Sequence, residues 1–142
     1  MNFSSADDDR LRAMFEGVKT IAVVGYSPKP QRASHAIARG MQLRGFRIIP
    51  VRPGISEGLG ETAYAGLSQV PGGIDLVNVF RNGAEVMPVV DACISLGLKK
   101  IWMQEGCIND EAAQKAHDAG MQVVMERCIL RDYKRLGLGD PA

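Results

Sequence analysis

Short apolar runs alternate with amphipathic stretches along most of the chain. "TIAVVG", "FRIIPV", "DLVNVF", "KKIWMQ" and "MQVVME" are rich in β-branched and large apolar residues. Each is too short for a helix and lacks strict in–out alternation, so each is read as a strand buried on both faces. Helix-period stretches lie between them. Ser4-Ser5 before "ADDD" predicts a capped helix over about Asp7 to Glu16, with acids where the N-terminal dipole favours them and a stop near Gly17. Ser34 is expected to cap a helix through about Leu43, with Ala36, Ile37, Gly40 and Met41 inward and Gly45 as its stop. Ala84 to Leu96 is predicted helical, with Val86, Val89, Val90, Cys93 and Ile94 inward; Pro88 falls in its first turns, where proline is best tolerated. Asn109 is expected to cap a helix running to about Ala119, ended by Gly120, and a last helix reaches about Leu136. Strand–helix alternation with short connections favours right-handed parallel crossovers. The expected fold is α/β: one doubly wound domain over residues 1–142, about five parallel strands with helices on both faces, and residues 1–19 as an N-terminal helix and lead-in. No repeat, low-complexity tract or linker interrupts it.

Composition narrows the function. With 46% hydrophobic and 23% charged residues in 142, the chain has an ordinary globular balance and enough length for one core. A formal net charge of +1 argues against a broad nucleic-acid surface, so any basic feature is local. No apolar run is long enough to span a bilayer, and the polar, acidic start "MNFSSADDDR" is not read as a signal peptide. Cys93, Cys107 and Cys128 have no CxxC spacing and read as reduced thiols of a cytoplasmic protein. His35 and His117 are far apart in sequence. Neither joins a metal-ligand pattern or a nucleophile–base arrangement, so no metal and no catalytic residue is assigned.

Ligands of doubly wound sheets bind beyond the carboxyl ends of the strands, which directs attention to the residues just after each strand. After the first come Gly25 to Ser34, "GYSPKPQRAS". Gly25 permits a tight turn, Ser27 offers a hydroxyl and a backbone N–H, and Pro28 and Pro30 stiffen the loop and delay the helix to near Ala33 or Ser34. Its N-terminus can face an anion, with Lys29 and Arg32 adding charge. The plainer reading is a polar loop with solvated cations, and the stretch is not a GxGxxG turn. After the second strand comes "PVRPG". An NAD site usually carries an acid there for the ribose 2′-hydroxyl; here stands Arg52, which suits the phosphate of NADP or of a 3′-phosphorylated adenosine such as coenzyme A, and Pro53 offers a flat apolar surface to a base. After the third, Phe80 and Arg81 are expected over the crevice, with Asn82 capping the next helix; the alternative is a core phenylalanine and a solvated arginine. After the fourth, Gln104 and Glu105 are polar and Gly106 allows close backbone approach; Glu105 could be a base but has no partner beside it in sequence. After the fifth, Cys128 opens a helix, either as a buried structural thiol or as one acidified by the helix dipole.

Taken together, "IAVVGYSPKPQRASH", "FRIIPVRPG", "DLVNVFR", "IWMQEGCIN" and "VVMERC" resemble the small stand-alone CoA-binding proteins with a Rossmann-type fold. Their larger relatives are the CoA-binding domains of succinyl-CoA synthetase α subunits and of ADP-forming acyl-CoA synthetases. The resemblance covers about Thr20 to Tyr133. It implies coenzyme A or an acyl-CoA bound across the strand ends. Gly25, Ser27, Lys29 and Arg32, with Pro28 and Ser34 of the same loop, match the phosphate loop. Arg52 and Pro53 match the segment contacting the adenosine end, and Phe80 and Arg81 match a third contact segment near the pyrophosphate or pantetheine. Arg52 stands where the family often has asparagine. The synthetases also use a second domain with a phosphorylatable histidine, for which these residues leave no room.

Two functions are carried forward. One is a non-catalytic CoA-binding module, serving as carrier, sensor or partner of an acyl-CoA enzyme. The other is a small NADP-dependent oxidoreductase or acyl-CoA enzyme working as a homo-oligomer. Length and the missing acid–base pair favour the first. Within it, Cys128, or after it Cys107, is a candidate for a mixed disulfide with the pantetheine thiol.

Overall fold

The computed structural model describes residues 2–139. Five parallel strands form its sheet: β1 (Thr20–Val24), β2 (Arg47–Val51), β5 (Leu76–Val79), β6 (Lys100–Met103) and β7 (Gln122–Met125), in the order β2-β1-β5-β6-β7. The predicted α/β class, strand count and parallel sense are those observed. After β2 the chain returns to the other side of β1 to form β5, so the crevice opens where β1 and β5 part their connections. Each strand is buried on both faces. Ala22, Val24, Val77, Val79, Ile101, Met103, Val123 and Met125 face one apolar cluster. Ile21, Val23, Ile48, Leu76, Trp102 and Val124 face the other. That two-sided burial is why the runs read as continuous rather than alternating.

Helices α3 (Val86–Ser95) and α4 (Asp110–Asp118) cover the first face; α1 (Asp8–Phe15), α2 (Ala33–Leu43) and α5 (Ile129–Arg135) cover the second. Trp102, fully buried beneath α1 and α5, donates its indole N–H to the Arg127 carbonyl at 2.8 Å. Burying such a ring contributes about 1.5–3 kcal/mol, and the bond removes the cost of hiding its polar edge. Both sheet edges are covered, which denies them to other chains. Beside β7, Met125 N–H donates to the Phe3 carbonyl and Arg10 Nη2 to the Val123 carbonyl. Beside β2, Tyr64 N–H donates to the Pro50 carbonyl and Arg52 N–H to the Tyr64 carbonyl.

Several local expectations are corrected. Asp7, not the Ser4-Ser5 pair, caps α1, its carboxylate accepting the Arg10 N–H at 2.9 Å. Arg32 occupies the cap position of α2 without a side-chain bond; Ser34 lies within the first turn and bonds elsewhere. The buried stripe of α2 is Ser34, Ala38, Gly40 and Met41; Ala36 is exposed and Ile37 half-buried, because Ser34, Ala38 and Met41 at i, i+4 and i+7 share the face turned to the sheet and Ala36 at i+2 does not. Asn82 precedes a short 3-10 turn, Gly83–Glu85, and makes no side-chain cap; α3 proper starts at Val86, and Ile94 is half-buried. The Asn109 cap stands, its side chain accepting the Ala112 N–H at 2.9 Å. Unforeseen is a small antiparallel ladder between β3 (Glu57–Gly58) and β4 (Glu61–Thr62). Its turn residues Leu59 and Gly60 have φ of 51° and 80°, the paired positive values of a tight hairpin.

Candidate functional site

The site forms where the ends of β1 and β5 touch. Gly25 has φ +88°, and a Cβ there would lie 2.4 Å from the Phe80 carbonyl oxygen and 3.1 Å from Arg81 Cδ. Only glycine admits both the turn and this approach. Gly25 N–H donates to the Val51 carbonyl and Phe80 N–H to the Val24 carbonyl, so β2, β1 and β5 end at one level. Above them lies a cavity of about 330 Å³ lined by Gly25, Ser27, Lys29, Arg32, Ala33, Ser34, Arg52 and Phe80. A second cavity of about 320 Å³ shares Gly25 and extends toward α3, past Val51, Pro53, Ala65, Leu67, Arg81 and Pro88.

The first cavity is built for an anion. Lys29, Arg32 and Arg52 line it and no carboxylate does. The α2 N-terminus has no side-chain cap, leaving first-turn N–H groups and the positive end of the dipole toward the opening. The Ser27 backbone N–H, expected to serve the ligand, is already taken by Ser34 Oγ at 3.0 Å. The Ser27 hydroxyl oxygen accepts the Lys29 N–H at 3.2 Å. Both hydroxyls thus act as acceptors within the loop and keep their own protons for donation. Arg52 is exposed, its Nη1 3.5 Å from the Tyr26 carbonyl oxygen, which leaves most of its fork uncommitted. This donor set fits a multiply charged phosphate ester.

The other residues singled out by sequence fall elsewhere. Pro28 is exposed in the same loop and lines neither cavity. Pro53 and Arg81 border the second, more apolar cavity, and Arg81 pairs with Glu85 at 3.2 Å, so its charge is balanced. Phe80 is half-buried at the cavity wall. Gly106 lies further along the strand ends, outside both cavities, and donates its N–H to Glu126 Oε1 at 3.0 Å. Gln104 is buried, its Oε1 accepting from Ile129 N–H and Asn78 Nδ2, and Glu105 pairs with Arg131 at 2.6 Å. Cys107 packs in the core, where burial raises its thiol pKa, opposed in part by the nearby Arg81 backbone N–H. Cys93 is pushed up to about 12 by burial. Cys128 is the half-buried cap residue of α5. His117 packs against Phe3, ring centroids 5.7 Å apart. Among the described residues no cluster of three or more His, Cys, Asp or Glu could hold a metal ion, and no helix is long and apolar enough to cross a membrane.

Sequence reasoning missed the second cavity's wall at residues 65–67 and the tie between Tyr26 and His35. The first leaves no local signal, since it depends on where the segment after β2 folds back; the second joins residues only nine apart, where the loop turns into α2.

A family model described as "CoA binding domain" matches residues 19–134. The chain is 39% identical over 119 residues to the uncharacterized protein YneT of Bacillus subtilis, covering 84% of this chain and 88% of that one. A hypothetical protein from Pyrococcus horikoshii OT3 superposes with a TM-score of 0.90 at 32% identity over 97% of both chains. The dinucleotide forming acetyl-coenzyme A synthetase 1 of Ca. Korarchaeum cryptofilum superposes with a TM-score of 0.68 at 27% identity, over 82% of this chain and 27% of that one.

Proposed function

The chain belongs to the CoA-binding domain family, and from that premise we propose that it holds coenzyme A or an acyl-CoA at the β1–β5 crevice as a non-catalytic cytoplasmic binding protein: a carrier, a sensor or the partner of an acyl-CoA enzyme. One observation carries the reading. Lys29, Arg32 and Arg52 converge with two serine hydroxyls on a single cavity at an uncapped helix N-terminus. In this reading Lys29, Arg32 and the start of α2 hold the pyrophosphate. Arg52 takes the 3′-phosphate of the ribose, where an acid would have repelled it. The adenine lies against Pro53 in the adjoining apolar cavity, reached past Gly25.

What the protein's residues contribute is binding and orientation. The candidate base Glu105 is engaged by Arg131. Unpaired thiols at Cys93, Cys107 and Cys128 suit a reducing compartment.

Calorimetric titration with CoA, NADP and NAD tests the proposal. CoA should bind more tightly than either dinucleotide. NADP shares a ribose phosphate and should rank second if Arg52 recognises that group. Binding of NAD as tight as that of CoA would defeat it.

A further inference from the structure

The loop from β1 to α2 is held in part by residues that do not line the cavity, Tyr26 and His35. Ser27 turns both sides of its backbone toward the first turn of α2. Its N–H donates to Ser34 Oγ at 3.0 Å, and its carbonyl oxygen lies 3.1 Å from His35 Nδ1. A carbonyl oxygen only accepts, so as a hydrogen bond this contact requires Nδ1 to carry a proton. The same Nδ1 lies 3.1 Å from the Tyr26 hydroxyl, and the two rings pack at a tilt with centroids 5.6 Å apart. Tyr26 is 1% exposed. A Cβ placed on Gly58 would come within 2.7 Å of its ring, so the β3–β4 hairpin lies directly upon it. One histidine therefore joins the hairpin, a buried tyrosine and the backbone of the anion loop.

We infer that His35 is a positioning residue for the phosphate loop, holding the Ser27 carbonyl so that the Ser27 and Ser34 hydroxyls and the Lys29 and Arg32 charges stay gathered on the cavity. This rests on the reading of that cavity as a phosphate site. The loop between Gly25 and Ala33 belongs to no strand or helix, and its shape depends on a few side-chain bonds. A site already formed before the ligand arrives binds more tightly, because ordering its groups no longer opposes binding. Loss of His35 frees the Ser27 carbonyl while Ser34 still holds the N–H, so the loop loosens and the fold remains. Asparagine can replace the function, since its amide N–H reaches about where Nδ1–H does.

The experiment compares wild type, His35→Ala and His35→Asn by CoA calorimetry and thermal unfolding, with the histidine tautomer read from long-range proton–nitrogen NMR. We expect His35→Ala to weaken CoA binding by about tenfold, the effect of one lost ordering hydrogen bond. His35→Asn should recover most of that, both variants should unfold near the wild-type temperature, and His35 should be the Nδ1–H tautomer. Undiminished binding by His35→Ala overturns the inference. So does a His35→Asn variant as weak as His35→Ala, or an Nε2–H tautomer. If wild type binds no CoA, the reading of the cavity fails on its own account, and the tautomer then decides the coupling alone.

Discussion

The two ends of the crevice treat their polar residues in opposite ways. Beyond β1 and β2, Lys29, Arg32 and Arg52 face an open cavity without an acid among its lining, and the serine hydroxyls keep protons to donate. Beyond β6 and β7, most polar groups are spent on one another, with Glu126 Oε2 left buried and without a hydrogen-bond partner among the described residues. Gln104 accepts from Ile129 N–H and Asn78, Glu105 pairs with Arg131, and Glu126 accepts the Gly106 N–H. Even the backbone at Glu126 is bent to this end, with φ +60° at a residue that is not glycine. A polar residue after a strand is thus no sign of a ligand. What matters is whether its hydrogen-bonding capacity remains unspent once the chain has folded.

The contrast breaks most severely at glycine. Gly25→Ala puts a Cβ 2.4 Å from a carbonyl oxygen at φ +88°, while Gly106→Ala at φ +84° meets nothing within 4 Å. We expect Gly25→Ala to cost roughly 3 kcal/mol or more in denaturant unfolding and to abolish CoA binding, against about 1–2 kcal/mol for Gly106→Ala from backbone strain alone. Equal losses would mean that the β1 and β5 ends are not pressed together. Next in size, Arg32→Ala should weaken CoA binding by about 1.5–3 kcal/mol, as for a charge-assisted hydrogen bond, without lowering stability. Normal binding would make Arg32 a solvated cation, and an unfolded variant would make it structural.

The other end should respond in the opposite currency. Gln104→Leu strands the buried Ile129 N–H and one proton of the Asn78 amide, whose other bond to the Trp102 carbonyl remains, so stability should drop by about 1–3 kcal/mol while CoA affinity holds. A selective loss of affinity would erase the distinction between the ends. The smallest effect concerns thiols. Burial raises the pKa of Cys107 and takes that of Cys93 to about 12, so both hold their protons to higher pH than an ordinary thiol does. Treatment with CoA disulfide should give a mixed disulfide at half-buried Cys128, its thiolate displacing one CoA thiolate, and none at the other two. Intact mass measures it: the adduct should vanish in Cys128→Ser, and an adduct at Cys107 would show the core to be more open than its packing.

Much of this arrangement was legible in the chain. The five apolar runs announced the strands because two-sided burial leaves a local composition signature. Gly25, Lys29, Arg32 and Arg52 were legible because each follows a strand, and the fold class places strand ends at the crevice. Arg81 and Gly106 were read by the same rule and lie elsewhere: Glu85, four residues on, draws Arg81 toward the second cavity, and Glu126, twenty residues on, takes the Gly106 amide. The expected caps at Ser4-Ser5, Ser34 and Asn82 failed for a smaller reason, while Asn109 held. Serine and asparagine favour several local hydrogen bonds, and Ser34 found a better donor in Ser27 than in its own helix.

The sequence by itself determined the α/β alternation, the buried strands, the proline-stiffened cationic turn and the family likeness, since all are written in the order and kind of neighbouring residues. Only the tertiary structure decided the strand order β2-β1-β5-β6-β7, and with it which strand ends meet. An apolar run carries no record of its partner, because any buried strand can pair with any other through the same backbone groups. Tertiary structure also decided that the β3–β4 hairpin would press on Tyr26, and that Tyr26 would meet the histidine holding Ser27. The hairpin contact joins residues distant along the chain and exists only after the core has brought its elements together; Tyr26 and His35 are nine apart, and it is the turn of the loop into α2 that makes their side chains meet.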